Sequence, residues 1–240
     1  VALDGIVAYK DTIIPSIAGM KNAYSDLTYD WYIDNVFVHT GKTYTVESSD
    51  VGKTLKVKVT GSHPMGLGSV ESAGTIVAKA QQIAHPEVPE LLSKTDFSFE
   101  ITTVATQEYS IDNENWQTSG VFENLDPNEE YTIYSRILEN DLYLLGESTD
   151  VLTVATERRP ISGKVIISGT PQYGKTLAAD VSGVIPTDST FTYEWRSNGV
   201  VIGEGSTYIV TEKDIRKGII LVLKGSGDYI GTLSSAPVSA

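Results

Sequence analysis

Short runs with alternating apolar and polar residues recur along the chain, and they predict strands. In residues 55–60, Leu, Val and Val alternate with Lys, Lys and Thr. Because successive side chains of a strand point to opposite faces, this pattern predicts one buried face and one solvated face. Similar runs rich in Val, Ile, Thr and Tyr are separated by Gly, Asn, Asp and Ser about every 8 to 12 residues. That spacing predicts an all-β sandwich architecture.

One stretch of the chain occurs twice. Residues 1–61 align without a gap onto residues 165–225 and are identical at seventeen positions. The two copies lie a whole domain apart, so they do not share a core as neighbouring units of a solenoid do. The sequence therefore predicts three tandem β-sandwich domains, at residues 1–80, 81–156 and 157–240.

The duplicated unit carries residues of a known family. Residues 177–183, Leu-Ala-Ala-Asp-Val-Ser-Gly, resemble the second strand of an immunoglobulin-like domain, with Ala179 at that family's Cys position. Trp31 and Trp195 resemble its core tryptophan, and Asp-Val-Gly at 50–52 resembles its Asp-x-Gly before the sixth strand. The chain contains no cysteine, which excludes the inter-sheet disulfide. The unit is similar to cysteine-free immunoglobulin-like repeats of large bacterial cell-surface proteins, and the resemblance implies immunoglobulin-like folds for residues 1–80 and 157–240.

The middle segment resembles a fibronectin type III domain. Leu125, Pro127 and Tyr131 match that family's Leu-x-Pro-x-x-x-Tyr, in which the Tyr forms the tyrosine corner and its hydroxyl caps nearby backbone. The family's second-strand Trp is missing from residues 97–101. Three residues are alternatives for filling that space, namely Phe97, Phe99 and Trp116.

The negative charge of the chain lies in its middle. Residues 81–156 hold fifteen Asp and Glu against Lys94 and Arg136, whereas each flanking segment is nearly neutral. Such a segment repels phosphate backbones, so nucleic-acid binding is not expected. A solvated acidic surface that keeps an extracellular protein in solution is the preferred interpretation, and a cationic partner is the alternative. Apolar runs near the roughly 20 residues of a membrane span do not occur, so no membrane insertion is expected.

Catalytic and metal-binding patterns are not found in the sequence. His39, His63 and His85 lack the spacing of a metal site, and no phosphate loop or nucleophile motif occurs in the context that its mechanism needs. We therefore expect no enzymatic activity and no cofactor. Asp112, Glu114 and Asp126 are an alternative calcium site, since hard cations bind several carboxylates, but solvated turns are the preferred interpretation.

An apolar run in the predicted connection between the last two strands of the middle domain is the most suggestive surface feature. Four apolar residues at a loop tip are unusual, and the corresponding turns of the flanking copies also carry apolar residues. The preferred interpretation is that the run extends the hairpin or packs against the third domain, and a ligand-binding surface is the alternative. The candidate ligand or interdomain contacts are Leu142, Tyr143, Leu144, Leu145, Tyr229 and Met65.

These observations favour a non-catalytic segment of a secreted or cell-surface bacterial protein, acting as adhesive or spacer modules. The alternative is an accessory carbohydrate-binding region of a larger secreted polysaccharide-degrading enzyme. The expected partner is a protein or glycan that the sequence does not identify. The chain is expected to be a monomeric fragment of a larger protein, located outside the cell.

Overall fold

A computed structural model of the chain describes residues 1–18, 26–62 and 68–240. The described part is almost all β; its only helical turns are two of 3-10 type, at Ser48–Asp50 and Glu212–Asp214. This confirms the predicted all-β class.

Contacts divide the chain into two compact units. Unit 1 comprises residues 1–87, 104–118 and 134–150, and unit 2 comprises 88–103, 119–133 and 151–240. The middle segment of the sequence is divided between the two units. The domain boundaries at 80/81 and 156/157 stay a prediction.

The first copy of the repeat belongs to unit 1. Its main sheet has the strand order β3–β2–β5–β6, with β7 also paired to β5, and β1 pairs with β4 in a two-stranded sheet. The strands are β1 (Thr12–Ile13), β2 (Leu27–Ile33), β3 (Val36–Thr40), β4 (Tyr44–Thr45), β5 (Thr54–Gly61), β6 (Gly68–Glu71) and β7 (Thr75–Ile76).

The acidic segment forms two three-stranded sheets. Their strand orders are β8–β9–β11 and β10–β12–β13, and Gln107 of β10 lies opposite Ile137 of β12. The strands are β8 (Leu91–Lys94), β9 (Ser98–Ile101), β10 (Gln107–Ser110), β11 (Val121–Glu123), β12 (Glu130–Ile137) and β13 (Thr149–Ala155).

The second copy of the repeat belongs to unit 2 and reproduces the first sheet as β20–β19–β22–β24, with β25 also paired to β22. A second sheet has the order β16–β17–β21, and two small pairs, β15–β18 and the parallel β14–β23, complete it. The strands are β14 (Arg159–Pro160), β15 (Ser162–Gly163), β16 (Ile166–Ser168), β17 (Thr176–Asp180), β18 (Val184–Ile185), β19 (Phe191–Ser197), β20 (Val200–Glu204), β21 (Thr207–Ile209), β22 (Gly218–Gly225), β23 (Tyr229–Ile230), β24 (Thr232–Ser234) and β25 (Val238–Ser239).

The alternation of residues 55–60 produces a strand that faces a core on one side. Leu55, Val57 and Val59 are fully buried in β5, and the residues between them are partly exposed. Burying each of these side chains contributes about 1.5–3 kcal/mol relative to exposure. The core of the first copy is built around this strand and Trp31 of β2.

Each copy holds its tryptophan by the same two contacts. Both Trp31 and Trp195 are fully buried at a β-bulge. The indole N–H of Trp31 donates to the Gly41 carbonyl at 2.8 Å, and its ring stacks on Tyr44 at 5.5 Å between centroids. In the second copy the N–H of Trp195 donates to Gly205 at 2.9 Å, and the ring stacks on Tyr208 at 5.7 Å. Ten residues separate each tryptophan from its acceptor in both copies.

The tyrosine that stacks on each tryptophan donates a hydrogen bond to a buried aspartate. The Tyr44 hydroxyl donates to Asp50 Oδ2 at 2.7 Å, and the same oxygen accepts from the Glu47 N–H at 2.9 Å. Tyr208 and Asp214 repeat the arrangement at 2.6 Å, with Thr211 as a further donor to the same oxygen. The carboxylate thereby satisfies the N-terminus of each 3-10 turn.

The carboxylate of Asp214 gains stability from these donors. Burial alone would raise its pKa, but the hydrogen bonds from Thr211 and Tyr208 outweigh burial and hold the pKa below its ordinary value. Burial and the bond to Asp214 in turn raise the pKa of Tyr208. Because the pKa of Asp214 is lower in the folded state, its contribution is complete above the ordinary carboxyl value of about 3.9 and is lost as the pH falls through the folded value.

One position of the repeat differs in backbone strain. Gly52 has φ +82° and Arg216, its counterpart, has φ +62°, in the left-handed region that favours glycine. A Cβ at Gly52 would meet no atom within 4 Å, so only the backbone conformation distinguishes the two residues there. Arg216 therefore carries a strain of about 1–2 kcal/mol that Gly52 avoids.

Exchanging these residues should change stability in opposite directions. We expect Arg216→Gly to raise the free energy of unfolding of unit 2 by about 0.5–1 kcal/mol, after the greater chain entropy of glycine is subtracted. Gly52→Arg should lower that of unit 1 by a similar amount. Urea denaturation of both variants measures this, and equal changes of the same sign would contradict it.

Removing the tyrosine hydroxyls should destabilise each copy. Tyr44→Phe and Tyr208→Phe leave a buried carboxylate short of a donor, which costs about 1–3 kcal/mol at pH 7. Tyr208→Phe raises the pKa of Asp214 toward its ordinary value. The loss of unfolding free energy caused by this substitution should therefore become smaller as the pH falls from 7 to 3. Tyr173→Phe is the control, because Tyr173 is 68% exposed. A deficit for Tyr208→Phe that is independent of pH would contradict the role of Asp214.

Candidate functional site

The predicted apolar run lies in the connection between Ile137 of β12 and Thr149 of β13, and its backbone is paired. In unit 1 the Ala80 N–H donates to the Leu142 carbonyl at 2.8 Å, and the Leu144 N–H donates to the Ala80 carbonyl at 2.9 Å. Ala80 and Tyr143 thus form a parallel bridge. These backbone partners of the run follow directly after the first copy of the repeat.

The side chain of Tyr143 completes this attachment. Its ring meets Tyr9 edge-on at 5.6 Å between centroids, and Lys10 Nζ lies 5.4 Å from the centroid of each ring. The hydrogen bond between Lys10 and Tyr143 raises the pKa of the Lys10 ammonium. Next to it, Lys79 Nζ is 2.6 Å from Glu139 Oε1. We call this set the junction cluster; it consists of Tyr9, Lys10, Lys79, Ala80, Glu139 and Tyr143.

Lys10 occupies a backbone conformation that costs energy. Its φ is +69°, and the aligned residue of the second copy is Gly174 at φ +73°. A lysine in this region is strained by about 1–2 kcal/mol relative to glycine. The two cation–π contacts of the ammonium are each worth about 0.5–1 kcal/mol at an exposed site and so offset that cost. The sequence feature that could have located this site is a lysine in the first copy at a position where the second copy has glycine.

An open groove of about 990 Å³ runs beside the junction cluster. Ile6 and Ile83 on its walls are 82% and 85% exposed. Lys10 lies over both aromatic rings that border the groove, so neither ring presents a free face on that side. The main lining residues are Ile6, Tyr9, Lys10, Gln82, Ile83 and Leu144.

A second set of contacts lies in unit 2, where the acidic segment meets the second copy. Arg159 Nε is 2.7 Å from Asp96 Oδ2, and the Arg159 N–H donates to the Asp228 carbonyl at 2.7 Å. The hydrogen bond with Asp96 raises the pKa of Arg159. Arg158 Nε donates to the Gly227 carbonyl at 2.8 Å, and its Nη2 donates to the Tyr229 carbonyl. We call Asp96, Arg158 and Arg159 the arginine cluster.

Tyr229 does not lie at an exposed loop tip. Its side chain is 7% exposed and belongs to the core of the second copy, so the expectation of a ligand contact by this ring is wrong. A hydrogen bond to Asp188 raises the pKa of its hydroxyl. The neighbouring Ile230 is 48% exposed. Met65, the corresponding candidate of the first copy, lies outside the described residues, as does His63.

The fibronectin-like motif residues lie together in unit 2. The Tyr131 hydroxyl accepts from the Asp126 N–H at 2.9 Å, the geometry of a tyrosine corner. Leu125 is buried and Pro127 is partly exposed.

Of the three aromatic residues considered for the missing tryptophan, Phe99 is the buried one. It is 1% exposed and packs on Phe122 and Tyr131 with centroid distances of 5.0 and 6.2 Å. Phe97 is 50% exposed, and the ring of Trp116 lies 3.9 Å from the guanidinium carbon of Arg136.

The carboxylate of Asp112 is used within its own loop. Its Oδ1 accepts from Ser110, Glu114 and Asn115, and its Oδ2 accepts from the Asn115 amide, at 2.7–2.9 Å. The two bonds from Asn115 contribute most to lowering the pKa of Asp112. In the described ranges no three metal-ligating side chains come together. Helices with the length and hydropathy of a membrane span are likewise not found there.

No protein-family model matches the chain, and no curated protein sequence matches it. Several solved multidomain structures align over nearly its whole length. The three N-terminal domains of the bacteriophage RB49 highly immunogenic outer capsid protein share 17% identity, with a TM-score of 0.35, covering 96% of this chain and 95% of that one.

Two other multidomain arrays align with lower TM-scores. Extracellular domains 3–5 of Drosophila OTK share 10% identity with a TM-score of 0.30, over 97% of this chain and 94% of that one. The central fibronectin III array of RIM-binding protein shares 13% identity with a TM-score of 0.25, over 99% and 94%. At these values the alignments assign no function.

Removing the Tyr143 ring should loosen the junction cluster. Tyr143→Ser deletes an aromatic pair and a cation–π contact, together worth about 1–2 kcal/mol. We expect that loss in the free energy of unfolding of unit 1, with faster hydrogen exchange at the Ala80 and Leu144 amides. Leu145→Ser is the control; Leu145 is 39% exposed and should cost less than about 0.5 kcal/mol. Equal effects of the two variants would contradict the cluster.

Proposed function

We propose that this chain is a non-catalytic segment of a secreted or cell-surface bacterial protein, in which tandem modules serve as an adhesive or spacer region. The modules are residues 1–80, 81–156 and 157–240. The observation that carries the proposal is that the backbone at both proposed boundaries is hydrogen-bonded to the neighbouring segment. A spacer requires this, because a freely swivelling linker does not hold one module against the next.

At the first boundary, within unit 1, the support is the pairing at Ala80. Two backbone hydrogen bonds and the ring contact of Tyr143 fix the chain at the point where the first copy ends. The ion pair of Lys79 and Glu139 is largely exposed, with side-chain exposures of 33% and 50%, and contributes little by itself. Backbone pairing and aromatic packing therefore supply most of the restraint.

At the second boundary, within unit 2, backbone bonds again flank the connection. The Glu157 N–H donates to the Thr95 carbonyl at 2.8 Å, and the Asn128 N–H donates to the Glu157 carbonyl at 3.0 Å. The next residue, Arg158, belongs to the arginine cluster, and the Ile161 N–H donates to the Ile230 carbonyl at 2.8 Å. Residues 157–161 are thus hydrogen-bonded to the acidic segment at Glu157 and to the second copy of the repeat at Ile161.

Hydrogen exchange tests the spacer role directly. We expect the amides of Ala80, Leu144, Glu157 and Ile161 to exchange as slowly as strand amides such as Val57. The Ala84 amide, which donates to the Gln82 side chain two residues away, is the fast control. Exchange of the four boundary amides at the rate of Ala84 would show that the boundaries are loose and would refute the spacer.

The second candidate is the accessory carbohydrate-binding region of a larger secreted enzyme. The groove of unit 1 favours it, since two tyrosines and the amides of Gln81 and Gln82 are residue types that bind sugars. It ranks second because the Lys10 ammonium covers both rings. A glycan array with the whole chain tests this candidate: it requires binding that Gln82→Ala abolishes, and no binding to any of a diverse set of glycans would count against it.

A further inference from the structure

The surface that receives the 138–148 connection in the first copy has an exposed counterpart in unit 2. Tyr9 aligns with Tyr173, and Lys10 aligns with Gly174. Tyr9 is partly buried against Tyr143, whereas Tyr173 is 68% exposed. The second copy thus presents the same aromatic residue without the cover that it has in the first.

The backbone beside this tyrosine also has the same path in both copies. The Gly52 N–H donates to the Val77 carbonyl at 2.9 Å, and the Arg216 N–H donates to the Ala240 carbonyl at 2.7 Å. Ala240 therefore occupies the position of Val77. In the first copy, Ala80 lies three residues after Val77 and forms the β-bridge with Tyr143.

The charge around Tyr173 differs from that around Tyr9. Four basic side chains are exposed at this end of the second copy, where the first copy has one basic residue at the aligned positions. Backbone hydrogen bonds join the segments that carry them, from Val210 to Lys175 and from Ala240 to Lys217. Two acids lie among them: Asp214 is buried and already paired, and Glu212 is exposed, so the exposed charges of this surface are four positive and one negative. The four residues are Lys175, Lys213, Arg216 and Lys217.

The 138–148 connection complements such a surface. It carries Glu139, Asp141 and Glu147 with no basic residue, and its Tyr143 is the residue that covers Tyr9. In the first copy one of these acids already pairs with a lysine, Lys79. An acidic, tyrosine-bearing loop is therefore matched to the exposed end of the second copy by charge.

We propose that the surface formed by Tyr173, Gly174 and these four basic residues docks the acidic loop of a further module of the 81–156 type joined at Ala240. The inference rests on the proposed tandem arrangement and adds the partner of one surface. Gly174 has no side chain to lie over Tyr173 and a docked tyrosine. The four basic residues around it supply the positive charge that the ammonium of Lys10 supplies in the first copy. Docking there would repeat the contact that unit 1 makes.

Hydroxyl-radical footprinting of Tyr173 tests the proposal. The probe is an extended chain, residues 1–240 followed directly by a second copy of residues 78–240 that carries Tyr173→Phe, so that Ala240 takes the place of Val77 and only one Tyr173 is present. In the chain of 240 residues Tyr173 should be oxidised several-fold faster than Tyr9. In the extended chain its rate should fall to that of Tyr9. An extended chain with Tyr143→Ser in the appended copy is the matched control and should show no fall.

A second measurement does not depend on folding of the appended copy. A synthetic peptide of residues 138–148, titrated into the isotopically labelled chain, should shift the amide resonances of Tyr173, Gly174 and Lys175, and 1 M salt should suppress the shift. Absence of both the footprint and the shift overturns the proposal. Protection of Tyr173 by a sulfated polysaccharide alone would also overturn it, in favour of an anionic glycan. Either result leaves the spacer proposal standing, because that proposal is tested by the exchange rates of the boundary amides in the chain of 240 residues.

Discussion

The fold of each repeat copy depends on one buried chain of contacts, from tryptophan through tyrosine to aspartate. The tryptophan ring fills the space of the core, and its N–H finds a backbone carbonyl ten residues later, across the hairpin. The stacked tyrosine carries its hydroxyl to a carboxylate that in turn binds the start of a 3-10 turn. A buried carboxylate without these donors would cost several kcal/mol, so the three residues specify one another. The chain has no cysteine, and this polar contact does part of what a disulfide would do in fixing the loop to the core.

A second polar device is shared by the copies at the last strand of the main sheet. Between β6 and β7 the ladder is interrupted, and the Ser72 hydroxyl accepts from the Val57 N–H at 3.1 Å. Between β24 and β25, Ser235 accepts from Leu221 at 3.0 Å. Both serines are buried, at 5% and 7% exposure. They satisfy a core-strand donor that would otherwise be unpaired, which allows the last strand to bend without a loss of hydrogen bonds.

The parts of this structure that follow from local pattern could be predicted from the sequence. Alternation at residues 55–60 determines which side of β5 is buried, and the spacing from Leu125 to Tyr131 determines the corner. The surroundings of the 138–148 connection could not be predicted this way. Its apolar residues signalled contact, but whether Tyr143 met the first or the third module depends on pairing between residues more than 60 positions apart. Tyr229 was misplaced for a related reason: β23 pairs in parallel with β14, which buries a ring that sequence alone puts at a turn.

Comparison of the copies separates what the fold requires from what it permits. Trp, Tyr and Asp are identical because the core contact needs all three. Lys10 and Gly174 lie at aligned positions with nearly the same positive φ. Glycine is the unstrained residue at that φ, so the fold alone gives no reason for the lysine. Its reason lies in the two tyrosines it covers, one of which comes from another segment. The backbone strain of Lys10 is thus offset by contacts that exist only where the 138–148 connection lies against the first copy. The first copy is therefore specialised for the connection that follows it.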